Sequence, residues 1–529
     1  MQNLNTPCLI AGSFLALMST TGCTGDDEIT ERPNILFAIS DDQSFPHAGA
    51  YGTRWVITPA FDRVAEEGLL FYNGYTPNAK CSPSRSCIIT GRNSWQLEDA
   101  MNHIPYFPAK FKTFVEVLGE HGYFTGFTGK GWAPGDPGMV DGKPRQLIGP
   151  VYNELRTEPP ARFISNIDYA ANFEAFLEAK PEDEPFFFWY GGYEPHRAYE
   201  FQAGVNIGGK QLSDIDEDEI FRFWPDNDTI RHDLLDYAFE IEHFDSHLEK
   251  MISMLEKEGM LENTIIVVTS DNGMPFPRIK GQAFKLSNHM PLAIMWPKGI
   301  KNPGRIINDF VSFTDFAPTF LATAGINQES SGMEPVEGRS LLPLFDDQPG
   351  AIDRDFILIG KERHDLGRPD DAGYPIRGII THEYLYLVNH HPDRWPAGNP
   401  ETGYMNCDGS PTKTWILNDR RIKGQSRYWD LNFGKRPYEE LYDIRKDADC
   451  IVNLAGEPSY QDTRKMLRDK MTSELEAQGD PRILGLEHII DSYEYAQPHQ
   501  RNFYQRFMAG EEMRAGWINQ TDIETEIIE

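Results

Sequence analysis

Two pairs of oxygen-bearing side chains each follow an apolar, β-prone run in this sequence. Asp41 and Asp42 come directly after the run 34–40, and Asp271 and Asn272 come directly after the run 264–270. Ligands of an open α/β sheet bind beyond the carboxyl ends of its strands, so we expect these side chains to meet at one edge. An all-oxygen set favours a hard cation such as calcium or magnesium over zinc. Taken singly, each pair is also typical of an ordinary turn.

A candidate nucleophile lies between the two pairs. Residues 81–92 read CSPSRSCIITGR, and we predict a helix that begins near Pro83. Arg85 and the N-terminus of this helix would then favour an anion beside Cys81. Taken alone, Cys81 is more typical of a buried thiol or of a disulfide with Cys87.

The segment 81–92 resembles the signature of the type I sulfatase family, which belongs to the alkaline phosphatase superfamily. The order of metal pair, nucleophile and second metal pair is also that of the family, and the resemblance extends over about residues 33–456. It implies that a sulfatase-modifying enzyme oxidises Cys81 to formylglycine (3-oxoalanine). It also implies that one calcium ion is bound by Asp41, Asp42, Asp271, Asn272 and the modified residue 81.

The implied chemistry explains why an aldehyde is needed at this position. One hydroxyl of the hydrated aldehyde attacks sulfur, and the other then expels sulfate and restores the aldehyde, a second step that serine or cysteine lacks. The site must also neutralise the charge of the sulfate oxygens.

Further family positions match residue by residue. The resemblance implies that Arg85 holds the diol, Lys130 contacts sulfate and diol, His196 acts as general acid, and Lys280 binds a sulfate oxygen. An isolated histidine or lysine is otherwise usually structural or solvated. The sequence departs from the family at Trp132, where the family has a histidine that accepts the diol proton.

The segment 360–377 is similar to the sugar-contacting stretch of the heparan N-sulfatase branch. On that basis we predict that His364, Asp365 and Arg377 contact the terminal sugar of an exo-acting enzyme on a sulfated glycan. The alternative is a structural ion-pair cluster between domains. The choice between N-sulfate and O-sulfate stays open.

Two other functions remain possible at this point. A phosphonate or phosphate monoester hydrolase of the same superfamily would share the fold and, in some members, the modified cysteine. A protein of a different class, an inactive lipoprotein that only holds sulfated glycan, would keep an unmodified thiol at position 81. The absence of a histidine beside Asp271-Asn272 favours one metal ion over the two of the phosphatases.

Alternating apolar runs and helical patterns from residue 33 onward predict an α/β fold. We expect a large, mostly parallel sheet between helices, as in alkaline phosphatase, and a smaller C-terminal α+β subdomain. The predicted strands of the large sheet are 34–40, 125–128, 186–190, 264–270 and 292–295, and the clearest helix is 231–257. The C-terminal part has predicted strands at 356–359, 376–380 and 384–388 and a helix at 461–476.

The domain organisation follows from changes in composition. We predict a catalytic domain over 33–345 and a C-terminal subdomain over 350–529, with a polar, Gly- and Pro-containing boundary between them. The acidic stretch 198–228 lacks periodicity and is expected to be an insertion that shapes substrate access.

The composition limits the kinds of molecule and metal ion that the protein is expected to bind. The 529 residues carry a formal net charge of -31, which argues against nucleic acid, because a phosphate backbone needs a basic surface. The six cysteines, at 8, 23, 81, 87, 407 and 450, form no zinc pair and leave room for at most one disulfide.

The N-terminus predicts export. The apolar stretch 9–18 is followed by Thr-Thr-Gly-Cys23, the order of a bacterial signal peptide that ends at a lipidated cysteine. We expect residues 1–22 to be removed, 23–32 to form a linker, and Cys23 to anchor the protein in the periplasm or at the cell surface. Contact with the membrane would occur only through this anchor, and simple secretion is the alternative because 1–22 lack Lys and Arg.

Overall fold

The computed structural model describes residues 31–348, 350 and 352–526. The predicted signal peptide, the lipidation site at Cys23 and most of the linker lie outside these residues. Within the described part of the chain, no helix has both the length and the apolar character needed to cross a bilayer.

Two main sheets and a short ribbon are formed by the strands of the described residues. In chain order these are β1 Asn34–Ser40, β2 Leu69–Tyr75, β3 Phe124–Gly129, β4 Met139–Val140, β5 Lys143–Pro144, β6 Phe186–Gly191, β7 Thr264–Ser270, β8 His289–Met295, β9 Arg305–Ile307, β10 Val311–Ser312, β11 Phe356–Lys361, β12 Ile376–Thr381, β13 Tyr384–Asn389 and β14 Glu439–Asp443.

The α-helices alternate with these strands in the first part of the chain. They are α1 Pro59–Glu66, α2 Cys81–Thr90, α3 Phe114–Glu120, α4 Tyr169–Ala179, α5 Ala203–Asn206, α6 Asp228–Lys257, α7 Lys285–Asn288, α8 Phe316–Thr323, α9 Leu342–Phe345, α10 Pro411–Lys423, α11 Arg427–Phe433, α12 Gln461–Ala477, α13 Glu487–Asp491 and α14 Phe503–Met508.

The large sheet has the order β10-β2-β8-β7-β1-β6-β3, and β9 pairs with β2. All of its pairings are parallel except those of β8, which runs antiparallel to β2 and β7. The link from β7 to β8 contains only the four-residue helix α7, whereas the crossover between parallel strands usually contains a full helix that packs on the sheet. The predicted α/β class and mostly parallel sheet are therefore confirmed.

Helices cover both faces of this sheet. Ile35, Phe37 and Ile39 of β1 pack into the core on one face, which α2, α3 and α8 cover. Leu36 and Ala38 pack into the core on the other face, beneath α1, α4 and α6. Burial on both faces explains why the strand reads as one continuous apolar run.

The second sheet is antiparallel, with the order β11-β12-β13-β14, and α12 packs on it. The polar stretch around residue 350 lies between the two sheets in the chain. The predicted strands of this part correspond to β11, β12 and β13, and the predicted helix corresponds to α12.

Three local expectations differ from the structure. Residues 198–228 do not line the cavity that contains Cys81, and their apolar residues, among them Ile215 and Trp224, instead pack with α6. Helix α2 begins at Cys81 and not near Pro83. The four described cysteines are all free and buried, so Cys81 forms no disulfide with Cys87.

Candidate active site

The carboxyl ends of the parallel strands bring the two oxygen-bearing pairs together. Asp41 and Asp42 follow β1, Asp271 and Asn272 follow the neighbouring β7, and all four side chains are buried. Carboxylate oxygens of the three aspartates lie within 4.8 Å of one another. Asp42 reaches this position with a φ of 73°, a backbone conformation that residues other than glycine rarely adopt.

This oxygen cluster fits a divalent cation. Asp42 Oδ1 and Asn272 Oδ1 are buried acceptors without a hydrogen-bond donor among the described residues. Burial and the adjacent Asp41 carboxylate raise the pKa of Asp271, a cost that a bound cation would remove. Buried, unpaired oxygen acceptors are the ligands that calcium takes.

Cys81 lies beside this cluster as the first residue of α2. Its Sγ is 3.5 Å from Asp41 Oδ1 and 3.8 Å from Asn272 Nδ2. Burial and the Asp41 carboxylate raise the pKa of the thiol to about 12. As a plain thiol, Cys81 is therefore a poor nucleophile at neutral pH.

Arg85 lies one helical turn after Cys81 and is fully buried. Its Nε donates to Asp271 Oδ2 at 2.8 Å, and its Nη1 donates to the carbonyls of Lys130 and Gly131 at 2.7 Å. Its Nη2 has no hydrogen-bond partner among the described residues and is 3.7 Å from Asp41 Oδ1. The Arg85 guanidinium thus links the residues that follow β3 and β7, and its Nη2 remains an unpaired donor near Cys81.

Two lysines contact the oxygen cluster, each through a different aspartate. Lys130, directly after β3, contacts Asp41 Oδ2 at 2.5 Å, and Lys280 contacts Asp42 Oδ2 at 2.6 Å. Lys280 also lies 3.0 Å from His196 Nε2. Because His196 Nδ1 is 2.6 Å from the carbonyl of Arg197, it donates there and leaves Nε2 to accept from Lys280.

A cavity of about 320 Å³ opens over Cys81, and Lys130, His196 and Lys280 also line it. Its lining comes from eight separate stretches of the chain, namely Lys80, Cys81, His103, Ile104, Lys130, Ala133, Pro134, Tyr193, His196, Lys280, Asp365, Asp408 and Trp517. Three lysines and two aspartates line the cavity, and each lysine lies within 2.8 Å of a carboxylate. A divalent cation in the oxygen cluster would supply the positive charge that an anionic substrate needs here.

Two cavity residues were missed in the sequence analysis. Asp408 binds Lys280 at 2.7 Å, and Lys280 and the other nearby cations lower the pKa of this buried carboxyl group. His103 Nδ1 lies 3.0 Å from Asp365 Oδ1, and its buried Nε2 has no partner among the described residues. No motif surrounds either residue, so neither gave a signal in the sequence.

His103 has the arrangement of an oriented base. Asp365 accepts from Nδ1, which leaves the buried Nε2 unprotonated. Burial lowers the pKa of His103 to about 4, so the imidazole is neutral near pH 7.

Trp132, which stands where the family has a histidine, does not line the cavity. Its Nε1 donates to Ser86 Oγ at 2.8 Å, and its ring packs edge-on against Phe107.

The three predicted sugar contacts are separated in the structure. Asp365 lines the cavity and binds Lys80 at 2.8 Å, whereas His364 is fully buried and its Nε2 donates to Asn78 Oδ1 at 2.8 Å. Arg377 is 1% exposed and lies outside the cavity lining. Its guanidinium binds Asp480 at 2.6 Å and Glu362 at 2.8 Å, which is the ion-pair alternative.

The sequence of the chain matches a known protein family. The family model described as Sulfatase matches residues 33–326, more than half of the chain. The chain belongs to the sulfatase family. The match contains all of the predicted metal-binding and catalytic residues, and this sulfatase is an enzyme that hydrolyses sulfate esters.

Individual relatives of this sulfatase act on sulfated glycans, according to their names. An ulvan-active sulfatase of Formosa agariphila is 27% identical over 459 residues, which cover 85% of this chain and 82% of the relative. Human N-sulphoglucosamine sulphohydrolase is 27% identical over 501 residues, which cover 87% of this chain and 93% of the relative. The predicted likeness to the latter branch is thus supported.

Solved structures share the fold. One, in complex with its substrate D-glucosamine-2-N,6-O-disulfate, has a TM-score of 0.61 at 20% identity and covers 85% of this chain and 99% of its own. The phosphonate monoester hydrolase of Agrobacterium radiobacter has a TM-score of 0.60 at 18% identity and covers 85% and 97%. The architecture therefore serves more than one ester chemistry.

Proposed function

We propose that this sulfatase removes sulfate from a sulfated carbohydrate, a polysaccharide or its oligosaccharides, by means of one calcium ion and a formylglycine made from Cys81. The observation that carries the proposal is that Cys81 lies beside a buried oxygen cluster with unpaired acceptors and at the same time lines a cavity with three lysines. The glycan substrates in the names of the relatives support the choice of carbohydrate.

The calcium ion would be held by Asp41, Asp42, Asp271, Asn272 and residue 81. When bound, calcium polarises the sulfate and formylglycine supplies the attacking oxygen. A sulfatase-modifying enzyme must act on Cys81 before α2 is packed, because this side chain is only 2% exposed in the folded protein.

The remaining roles belong to ordinary side chains. Lys130 and Lys280 neutralise the sulfate oxygens as substrate enters the cavity. Arg85 holds residue 81 against the strand ends through its contacts with Asp271 and the Lys130 carbonyl. The proton for the departing sugar oxygen comes from the Lys280–His196 pair, which faces the cavity.

The size of the cavity supports attack at chain ends. A volume of about 320 Å³ is at the lower end of the roughly 300–1,000 Å³ of ligand pockets. It suits one sulfated sugar better than the middle of a polysaccharide. Asp365, beside Lys80 and His103, is the one predicted sugar contact that we retain.

The test measures both the modification of residue 81 and the hydrolysis of sulfated saccharides. We expect mass analysis of the peptide containing residue 81 to show formylglycine, and a panel of defined sulfated saccharides to include at least one substrate. An unmodified thiol in the native, inactive protein would indicate a glycan-binding lipoprotein. Faster hydrolysis of a phenyl phosphonate than of 4-nitrophenyl sulfate would indicate a phosphonate or phosphate monoester hydrolase.

Cys81→Ala and Cys81→Ser test the nucleophile itself. We expect Cys81→Ala to abolish turnover and to keep the unfolding temperature, because the lost group is small. We expect Cys81→Ser to accumulate a stable sulfated adduct, detected by intact mass, since serine lacks the second hydroxyl needed for release. Activity of Cys81→Ala near wild type would overturn the proposed mechanism.

We also propose export to the periplasm or cell surface with a lipid at Cys23, on the basis of the N-terminal sequence. Labelling of cells with a radioactive fatty acid tests this. We expect label in the wild-type protein and none in Cys23→Ala, whereas label in neither would indicate simple secretion.

A further inference from the structure

Two further cavities adjoin the catalytic cavity in succession. The first, of about 260 Å³, shares Tyr193 and His196 with the catalytic cavity. The second, of about 600 Å³, shares Phe163 and Arg197 with the first. We call these two cavities together the side groove. It begins at His196, one of the two residues that supply the proton for the departing sugar oxygen in the proposed mechanism.

Exposed aromatic side chains are concentrated along the side groove. Among the described residues, five aromatic side chains are exposed, and three of them, Phe163, Tyr193 and Phe201, line this groove. Phe163 is 53% exposed and lines both of its cavities, and Trp415 adds a partly buried ring to the second. Single exposed apolar side chains need no explanation, but a group of them along one groove marks a binding surface.

Phe163 is held in its exposed position by the protein. Its backbone has a φ of 79°, in the left-handed region that bulky residues rarely adopt. The guanidinium of Arg162, which is not part of the groove lining, lies 4.4 Å from the centroid of its ring. Strained residues of this kind cluster at ligand-binding and catalytic sites, and an exposed ring gains little from burial. Packing of the fold therefore does not explain why a phenylalanine lies here.

The charged side chains of the side groove do not suit an anion. They are one arginine and four acids, namely Glu194, Arg197, Asp233, Asp236 and Glu240. Arg197 donates to both carboxylate oxygens of Asp233, at 2.7 and 2.9 Å, so its charge is already paired. Burial raises the pKa of Asp236 to about 7 and the pKa of Glu240 well above its usual range. A sulfate or carboxylate group would meet acids and no unpaired arginine or lysine in this lining.

We propose that the side groove binds the sugar units next to the terminal sulfated sugar, through their ring faces and hydroxyl groups and not through anionic groups. The proposal rests on the proposed function, because it places the sulfated sugar in the catalytic cavity. The C–H face of a sugar ring is apolar and packs on aromatic side chains such as Phe163, Phe201 and Trp415.

The shape of the side groove agrees with attack at chain ends. The catalytic cavity holds the terminal sugar, and the rest of the glycan leaves past Tyr193 into the groove. The larger cavity of the groove, at about 600 Å³, lies within the roughly 300–1,000 Å³ of ligand pockets. Through Phe201, the stretch 198–228 would contact the substrate further along the glycan, although it does not line the catalytic cavity.

The first test compares substrates of different length. Heparin-, ulvan- and carrageenan-derived disaccharides and tetrasaccharides are assayed with the modified, full-length protein, beside 4-nitrophenyl sulfate. We expect Phe163→Ala and Phe201→Ala each to lower kcat/KM for the tetrasaccharide that is desulfated fastest roughly tenfold relative to 4-nitrophenyl sulfate, mainly through KM, as one aromatic contact is lost. Tyr438→Ala, which removes a ring that is also 53% exposed but lies outside the groove, is the matched control and should keep the wild-type ratio.

Salt separates packing on aromatic rings from recognition of charge. We expect the tetrasaccharide to keep its lower KM relative to the disaccharide as sodium chloride is added, because salt screens charges and not contacts between apolar faces. If this difference in KM disappears with salt, charged groups bind the distal sugars, and the proposal is wrong.

The remaining outcomes have distinct meanings. A wild-type ratio in both Phe163→Ala and Phe201→Ala would overturn the proposal, since the groove would then make no contact with substrate during turnover. Equal losses on the tetrasaccharide and on 4-nitrophenyl sulfate, with a lower unfolding temperature, would also overturn it by assigning the two rings to the fold. Failure of the wild-type protein to desulfate any of the saccharides would instead overturn the proposed function.

Discussion

The side chain at position 81 experiences two opposing electrostatic influences. Its carboxylate neighbours and its burial disfavour a negative sulfur, while Lys130, Lys280 and the free Nη2 of Arg85 favour an anion in the space beside it. A neutral group at position 81 avoids the cost of a buried negative charge, and it can still react with an anionic substrate that the nearby cations stabilise. A thiolate at position 81 would bear that cost.

His103 and Asp365 provide the first prediction at this scale. We expect His103→Ala to lower kcat by roughly a hundredfold, as for loss of a general base, because His103 lines the catalytic cavity and its Nε2 has no partner among the described residues. Asp365→Asn should have a smaller effect through the wrong tautomer. The measurement is kcat for 4-nitrophenyl sulfate together with the double variant.

A double variant no slower than His103→Ala would show that both residues act in one step. Equal losses of unfolding temperature with unchanged kcat would instead assign the pair to stability.

The metal pair provides the second prediction. We expect Asp271→Ala to lose calcium and activity together, and Asp271→Asn, which keeps the shape, to weaken calcium binding as well. The measurements are calcium content by mass spectrometry and the rise in unfolding temperature with added calcium, which follows the binding linkage. Asp469→Ala, at an exposed acid, is the control. Full activity of calcium-free protein would contradict the prediction.

At the scale of elements, the strand ends could be read from the sequence because each is a continuous apolar run that stops at polar residues. The predicted bounds 34–40 and 264–270 are those of β1 and β7. Strand β2 was not predicted, because its Asn73-Gly74 reads as a turn. In the structure the same residues lie at an irregularity in the pairing with β8.

The end of α2 provides the third prediction. Gly91 adopts a φ of 67°, and a Cβ there would lie 2.9 Å from Val336 Cγ1 and 3.1 Å from Ala317 Cβ. We expect Gly91→Ala to lower the free energy of unfolding by about 2–4 kcal/mol, from backbone strain and crowding together. Chemical denaturation measures this.

Gly424 is the matched control, because it ends α10 with a φ of 76° and has open space around its Cα. Gly424→Ala should cost only the backbone strain, about 1–2 kcal/mol. Equal costs for the two variants would mean that Val336 moves aside.

At the scale of the whole molecule, the C-terminal third completes the site. Asp365 lies in the chain between β11 and β12 and Asp408 between β13 and β14, and no local sequence pattern marks Asp408 as part of the cavity. The family signature thus predicted which residues of the first part of the chain lie together in one half of the site, while their catalytic roles stay predictions. The other half depends on tertiary packing, which also explains why Arg377, in a stretch that resembles sugar contacts, is instead an ion-pair residue.

Arg377 provides the fourth prediction. It joins β12 to Asp480 after α12 and to Glu362, with all three groups buried. We expect Arg377→Ala to lower the free energy of unfolding by about 3–5 kcal/mol, because buried Asp480 loses its cation and buried Glu362 keeps only Arg482. Rates for 4-nitrophenyl sulfate and for glycan should fall together. A loss confined to glycan, with an unchanged unfolding temperature, would restore Arg377 as a sugar contact.

The residues that line the catalytic cavity come from two parts of the chain, and this has a consequence for how sulfatases evolve new substrate preferences. The groups that react with sulfate come from residues before 281, whereas Asp365, Asp408 and Trp517 come from the last third of the chain. Mutations in the 3′ part of the gene that keep Asp365 and Asp408 can therefore change which substrates the enzyme accepts while the reacting groups stay the same. Exchange of that part between relatives is then a direct route to new substrate preferences.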